Sequence, residues 1–469
     1  MCNSQGCTLA QPVVRVRGRR VSSSAPTRGR VPYGSTFRVA SPTRGAGERV
    51  RVSVGRGYAG GKGTGSDMAG RVMTGQTQDR QAAAAPHDPG AGGVRAGLAA
   101  TARALAGKGR DHRIDALRGV ALLMMFIDHI PQDLLNRFTM RNVGFADAAE
   151  VFVLLAGYAS WLAYGRGFEK YGVAVTLKRL FRRCVQLYIG QTIMVAVYVF
   201  TIRIWRQFTP VSVDYLEPEL AHGMGWVWRV MMFDALPSNL NILPLYIVLL
   251  AGFPVFYLLV RAQHSLALLL AGALWLLVNL DPALNFPNWL DPDGWYFNPL
   301  AWQFLFALGL SASAEAQRHG GNFPYRTWLA GLCWGYLGFS ALQAFPWVLW
   351  GLPDLRPFGD AVAPAKTWLS PLRLLDVVAI FYLVQSSLAA RRWAAESGVG
   401  QALACVGRHS LEVFVVGTIL DLYARLIFST FGESWLLQIG VNVVGLAILF
   451  SVAFWLDRRR NVRVVAPAR

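Results

Sequence analysis

From about residue 115 to residue 456, strongly apolar segments follow one another with only short polar breaks, and each is long enough to cross a hydrocarbon core, which takes about 20 helical residues. A bilayer offers no water to satisfy backbone polar groups, so a chain crosses it as helices or as a closed barrel, and runs of this length read as helices. The expected fold class is an all-α polytopic integral membrane protein. Hydropathy and flanking charge place about ten transmembrane helices, near 114–132, 147–164, 180–202, 241–260, 264–280, 298–315, 326–346, 367–389, 404–428 and 435–456.

The formal charge of +19 invites a nucleic-acid reading, but its distribution argues against one. Residues 1–110 hold 18 Lys and Arg against 4 Asp and Glu, so +14 lies in this tail and +5 in the rest of the chain. The tail, with stretches such as "QPVVRVRGRRVSSSAPTRGR", is rich in Arg, Gly, Ser and Pro and has no apolar period. It reads as a disordered basic N-terminal tail, without the compact apolar core of a signal peptide. Two readings of it stay open: a basic arm against anionic lipid, or a translation start at Met68 or Met73. A peptide from residues 20–60 in natively expressed protein would exclude the late start. The transmembrane domain is then 111–460, and 461–469 forms a cytoplasmic tail. Cys2, Cys7, Cys184, Cys333 and Cys405 fall at neither zinc nor disulfide-framework spacing.

Lys and Arg favour cytoplasmic loops, which orients the spans. Alternate connections are basic, among them "GRGFEKYGVAVTLKRLFRR" from Gly165, "AQRHGGNFPYR" from Ala316 and the terminal "DRRRNVR". The intervening ones, "PVSVDYLEPELAHG" from Pro210 and "DPALNFPNWLDPDGWYFN" from Asp281, are acidic. Both termini are therefore expected in the cytoplasm. The long loops between the other ends would build an extracytoplasmic binding surface.

The first span, "DALRGVALLMMFIDHIPQDLL" from Asp115, carries ionisable groups where burial is costly. On a helix, Arg118 and His129 lie eleven residues apart and return to within about 20° of one face, at roughly 16 Å of rise. Arg118, Leu122, Met125 and His129 form one stripe, with Asp115 beside it, whereas Asp128 points about 100° away from His129. A lone Arg near a span start is commonly a snorkelling anchor. A histidine placed deep on the same stripe shifts the balance toward chemistry: Arg can hold phosphate or a thioester carbonyl, and His can take a proton or carry an acyl group.

The Arg-x10-His pattern resembles the membrane acyltransferase-3 superfamily, as does "RIDALRG" before it. The run "DHIPQDLLNRFTMRNVGFADAAEVFVLLAGY" resembles the OpgC family, the succinyltransferases of osmoregulated periplasmic glucans, and so do "NILPLYIVLL", "KTWLSPLRLLD" and "GRHSLEVFVVGTIL". The likeness spans about residues 112–456, and Asp376 stands where a His is more usual. It implies a multi-pass protein of the bacterial cytoplasmic (inner) membrane. The co-substrate would be a cytoplasmic acyl-CoA, succinyl-CoA above all, with no tightly bound cofactor, and the acceptor a periplasmic glucan or related glycan.

His129 would then be the catalytic base or acyl carrier, with Glu150 and Asp128 as catalytic companions. Glu150 would orient or charge-balance His129, or else pair with Arg118 or Arg141. Donor binding would fall to Arg118, Asp115, Lys178 and Arg182, and acceptor binding to Arg141, Asn142 and Arg373. For a succinyl donor, Arg373 or Arg425 would supply an extra cation. Arg179 and Arg183 extend the basic cluster, which the orientation rule also explains. Trp289, Trp295 and Tyr296 read first as an interfacial belt and second as a platform for sugar rings. No metal site and no nucleic-acid module is expected; the partners are the bilayer, acyl-CoA and the glycan. The rival reading is a transporter of a glycan or proton-coupled solute, but internal repeats of the kind carriers show are not evident.

Overall fold

The computed structural model describes residues 111–209 and 225–465, with side chains up to residue 460. The expected tail 1–110, the acidic segment from Pro210 and the side chains of the C-terminal tail lie outside them. The described residues form helices, turns and loops without a β-strand.

Helix α1 is His112–His129 and α2 is Ala148–Ser160. A π-helical turn, Trp161–Gly165, carries α2 on into Arg166–Tyr171. The 36-residue α3, Val173–Phe208, and the short α4, Gly225–Met231, come next. Then follow α5 (Ile242–Ala251), α6 (Phe253–Ala262), α7 (His264–Leu280), α8 (Pro299–Arg318) and α9 (Thr327–Ala344). The chain ends with α10 (Pro371–Ser386), α11 (Leu388–Glu396), α12 (Gly398–Arg408), α13 (Ser410–Phe431) and α14 (Trp435–Val465).

Three helical stretches among the described residues are long and apolar enough to cross a membrane: Ala148–Tyr171, Val173–Phe208 and Trp435–Arg460. Counting α5 with α6 (bent by 48°) and α10 with α11 (bent by 74°) as single broken spans raises the number to five. Length and apolarity thus support three to five spans, and ten remains an expectation from hydropathy and charge. The first expected span is a helix, α1, but it carries Arg113, Asp115, Arg118 and Asp128.

α1 is central: it packs against α2, α11, α12, α13 and α14. Reciprocal glycines permit the closest of these approaches. A Cβ on Gly119 would fall 2.1 Å from the Leu403 carbonyl oxygen of α12, and one on Gly407 would fall 1.8 Å from that of Asp115. α2 and α8 meet in the same way, through Gly157 against Phe306 and Gly309 against Leu154. Small residues let membrane helices pack backbone to backbone. Gly407→Ala is therefore expected to destabilise by at least about 1–3 kcal/mol, the usual range for overpacking. It should lower the thermal midpoint in detergent, whereas Gly331→Ala, in open space, leaves it unchanged.

Hydrogen bonds sort the helix ends onto two faces. At one, Arg113 of α1 donates to the carbonyl oxygens of Gln385 (2.9 Å) and Gly321 (3.0 Å) and to Asn322 Oδ1 (2.7 Å), and pairs with Asp111 at 2.8 Å. It supplies donors where the 74° bend between α10 and α11 leaves carbonyls without helical partners. Arg113 was not singled out from the sequence, yet it is 2% exposed and joins three segments. The opposite face gathers the end of α1, the starts of α2, α8, α10 and α14, and the far part of α13.

Candidate functional site

That second face holds the ionisable cluster. Asp147 caps α2, accepting from the Ala149 N–H at 2.8 Å, while its own N–H donates to Glu150 Oε2 at 3.0 Å. This reciprocal capping box satisfies backbone donors that a helix start leaves open. It also presents two carboxylates at the buried start of an apolar helix, Glu150 with no solvent exposure at all. Such a pair is held there only by countercharge. Arg373 of α10 provides it: Nε donates to Glu150 Oε1 at 2.7 Å and Nη2 to Asp147 Oδ2 at 3.2 Å. Lys366, in the loop before α10, closes the set on Asp147 Oδ2. Burial works against the Lys366 ammonium, but Asp147, Tyr296 and Glu150 around it together outweigh that and hold its pKa above the ordinary lysine value.

His129 ends α1 at the same face. Its Nδ1 lies 2.5 Å from the Met125 carbonyl oxygen. A carbonyl only accepts, so Nδ1 carries the hydrogen and Nε2 keeps the lone pair. The His129 carbonyl accepts from Arg425 of α13, which is held in turn by Asp421 at 3.2 Å. Lys366, Arg141 and Arg425 stand close enough for their charge to reach His129. Ring and backbone of this residue are both fixed, and its basic nitrogen sits in a cationic neighbourhood.

The other expected site residues fall as follows. Asp128 turns to Thr139, whose hydroxyl donates to Oδ1, so it forms no dyad with His129. Glu150 takes Arg373, and this corrects the pairing with His129, Arg118 or Arg141 that the sequence offered. Arg118 donates from Nη2 to the Leu155 carbonyl of α2 at 2.8 Å, and Asp115 is buried. Leu122 and Met125, between Arg118 and His129 on the stripe, are core residues at 3% and 6% exposure. Arg141 is exposed and reaches the Asp128 carbonyl at 3.4 Å, and Asn142 bonds the Asn136 carbonyl at 2.7 Å; both flank the His129 end. Lys178 and Arg182 stand exposed on α3, apart from this cluster. The structure thus brings Asp128, His129, Glu150, Arg141 and Arg373 to one end and leaves the donor-binding candidates elsewhere. Lys366 and Asp147 were missed as partners; the one available signal was the acidic "FADAAEVF" opening a buried helix, which requires cations from somewhere in the chain.

Fold and site define a helical membrane protein that gathers a histidine and a balanced ion cluster at one end of its bundle. The family model of the OpgC protein matches residues 110–461, and the chain belongs to that family. Comparison with curated proteins and with solved structures finds no match.

Proposed function

We propose that this protein is a membrane-embedded O-acyltransferase that moves an acyl group, succinyl in the first instance, from cytoplasmic acyl-CoA to a hydroxyl of a periplasmic glucan. Membership in the OpgC family points to a glucan-modifying transferase. The observation that carries the reading further is the fixed tautomer of His129, whose Nδ1–H is spent on Met125 and whose Nε2 is left basic.

Nε2 takes the proton of the acceptor hydroxyl as its oxygen attacks the thioester carbonyl. The C–O bond forms, the C–S bond breaks, and the departing thiolate recovers a proton from the imidazolium to leave as CoA thiol. Arg118 lies toward the opposite face, where Lys178 and Arg182 are also available to donor phosphates. Arg141, Asn142 and Arg373 stand at the acceptor end. The acyl group has to pass the packed Leu122–Met125 stretch, so transfer includes a rearrangement along α1.

Mass spectrometry of periplasmic glucans from strains with and without the gene tests the reading. Ester substituents are expected to disappear on deletion and to return with the wild-type protein. Unchanged substituents would sink the proposal and favour a carrier.

A further inference from the structure

Tyr296 differs from its aromatic neighbours in how it is held. The turn before it is pinned from several sides: Asn285 Nδ2 donates to the carbonyls of Asp293 (2.8 Å) and Trp295 (2.9 Å), and the Trp295 N–H donates to Phe286 at 2.9 Å. Asn298 closes the other side, from Nδ2 to the Leu284 carbonyl at 2.6 Å and from its N–H to Thr367 at 3.2 Å. Gly294 takes φ +87°, and a Cβ there would meet the Phe286 carbonyl oxygen at 2.5 Å, so the turn requires glycine.

The result is an alternation: Trp295 and Phe297 are buried at 4% and 6% exposure, and Tyr296 between them stays 41% exposed. The Lys366 ammonium lies over one side of this ring, 5.8 Å from its centroid, and over the Phe297 ring at 5.4 Å, while paired with Asp147. The charge of Lys366 is felt at both His129 and Asp128. An aromatic ring presented by a rigid turn, next to a largely buried ammonium–carboxylate pair and within electrostatic reach of the proposed base, has the parts a pyranose needs. Its flat C–H face stacks on the ring, and its hydroxyls bond the charged pair. A lipid anchor would need neither the pinned turn nor the adjoining ion pair.

We infer that Tyr296, with Lys366 and Asp147, forms the subsite that holds a hexopyranose ring of the acceptor beside His129. This rests on the acyltransferase reading. The test uses full-length protein in nanodiscs, acyl-CoA as donor and a glucan oligosaccharide as the acceptor probe. Tyr296→Ala should raise the acceptor KM by about tenfold, the loss of one stacking contact, and leave kcat and the acyl-CoA KM within about twofold. Tyr296→Trp should stay close to wild type, because it restores the ring. In saturation-transfer NMR the oligosaccharide titration seen with His129→Ala should shift to about tenfold higher concentration with His129→Ala/Tyr296→Ala.

A wild-type acceptor KM in Tyr296→Ala, with His129→Ala inactive, overturns the subsite and returns Tyr296 to the interfacial belt while the enzyme reading stands. Absence of oligosaccharide signal with His129→Ala also overturns it. Undiminished ester formation by His129→Ala defeats the enzyme reading itself.

Discussion

His129→Ala is expected to lower the rate of ester formation by about 10²–10⁴, the usual contribution of a positioned general base. The variant should still elute as a monodisperse species and still show acyl-CoA-dependent thermal stabilisation, because among the described residues the side chain bonds only the carbonyl of its own preceding turn. Asp128→Asn is the informative companion. Its carboxylate accepts from Thr139 and points away from the imidazole, so its loss should stay below about tenfold, the scale of a disturbed hydrogen bond. Initial rates with labelled acyl-CoA and a glucan acceptor in proteoliposomes read both. A His129→Ala enzyme retaining more than a tenth of the wild-type rate would remove the base assignment, and an Asp128→Asn enzyme as impaired as His129→Ala would restore Asp128 to the chemistry.

Arg373→Met should be the most damaging change to stability, by about 3–5 kcal/mol, because it strands a buried charge. Glu150 has no exposed surface and takes its hydrogen bond at 2.7 Å from Arg373, so it is left desolvated without its cation. Adding Glu150→Gln removes the stranded charge and leaves Asp147 paired with Lys366. The double variant is therefore expected to be more stable than Arg373→Met alone, with a coupling on the order of 1–3 kcal/mol. Thermal midpoints in detergent, followed by fluorescence-detected size exclusion, measure the cycle. Additive losses would show that the two side chains do not stabilise one another.

Hydropathy made the helical class legible, and the 3.6-residue period made the Arg118–His129 stripe legible, since both depend on local order along the chain. The partners of that stripe were not. Arg373 and Glu150 are 223 residues apart in sequence, and nothing local in "FADAAEVF" selects a cation on a distant helix. Lys366 opens "KTWLSPLRLLD", a segment that carries the family resemblance, but nothing local in it points to Asp147. The glycine contacts of α1 with α12 were hidden because the chain has 47 glycines, and close approach is a property of pairs. The role of Arg113 appears only with the broken helix whose carbonyls it meets. The direction of Asp128 is the converse case: the 100° step between adjacent helical residues separated it from His129 before any contact was known.

The ion cluster has a consequence for energetics across a polarised membrane. Asp147, Glu150, Lys366 and Arg373 sum to zero formal charge. A lone elementary charge moved through a potential of 100 mV exchanges about 2.3 kcal/mol with the field, whereas a neutral quartet that moves as a unit exchanges almost none. Once assembled, a displacement of this corner of the bundle is thus indifferent to the voltage of the host membrane, an indifference that Arg373→Met, left with one negative charge in excess, would no longer have.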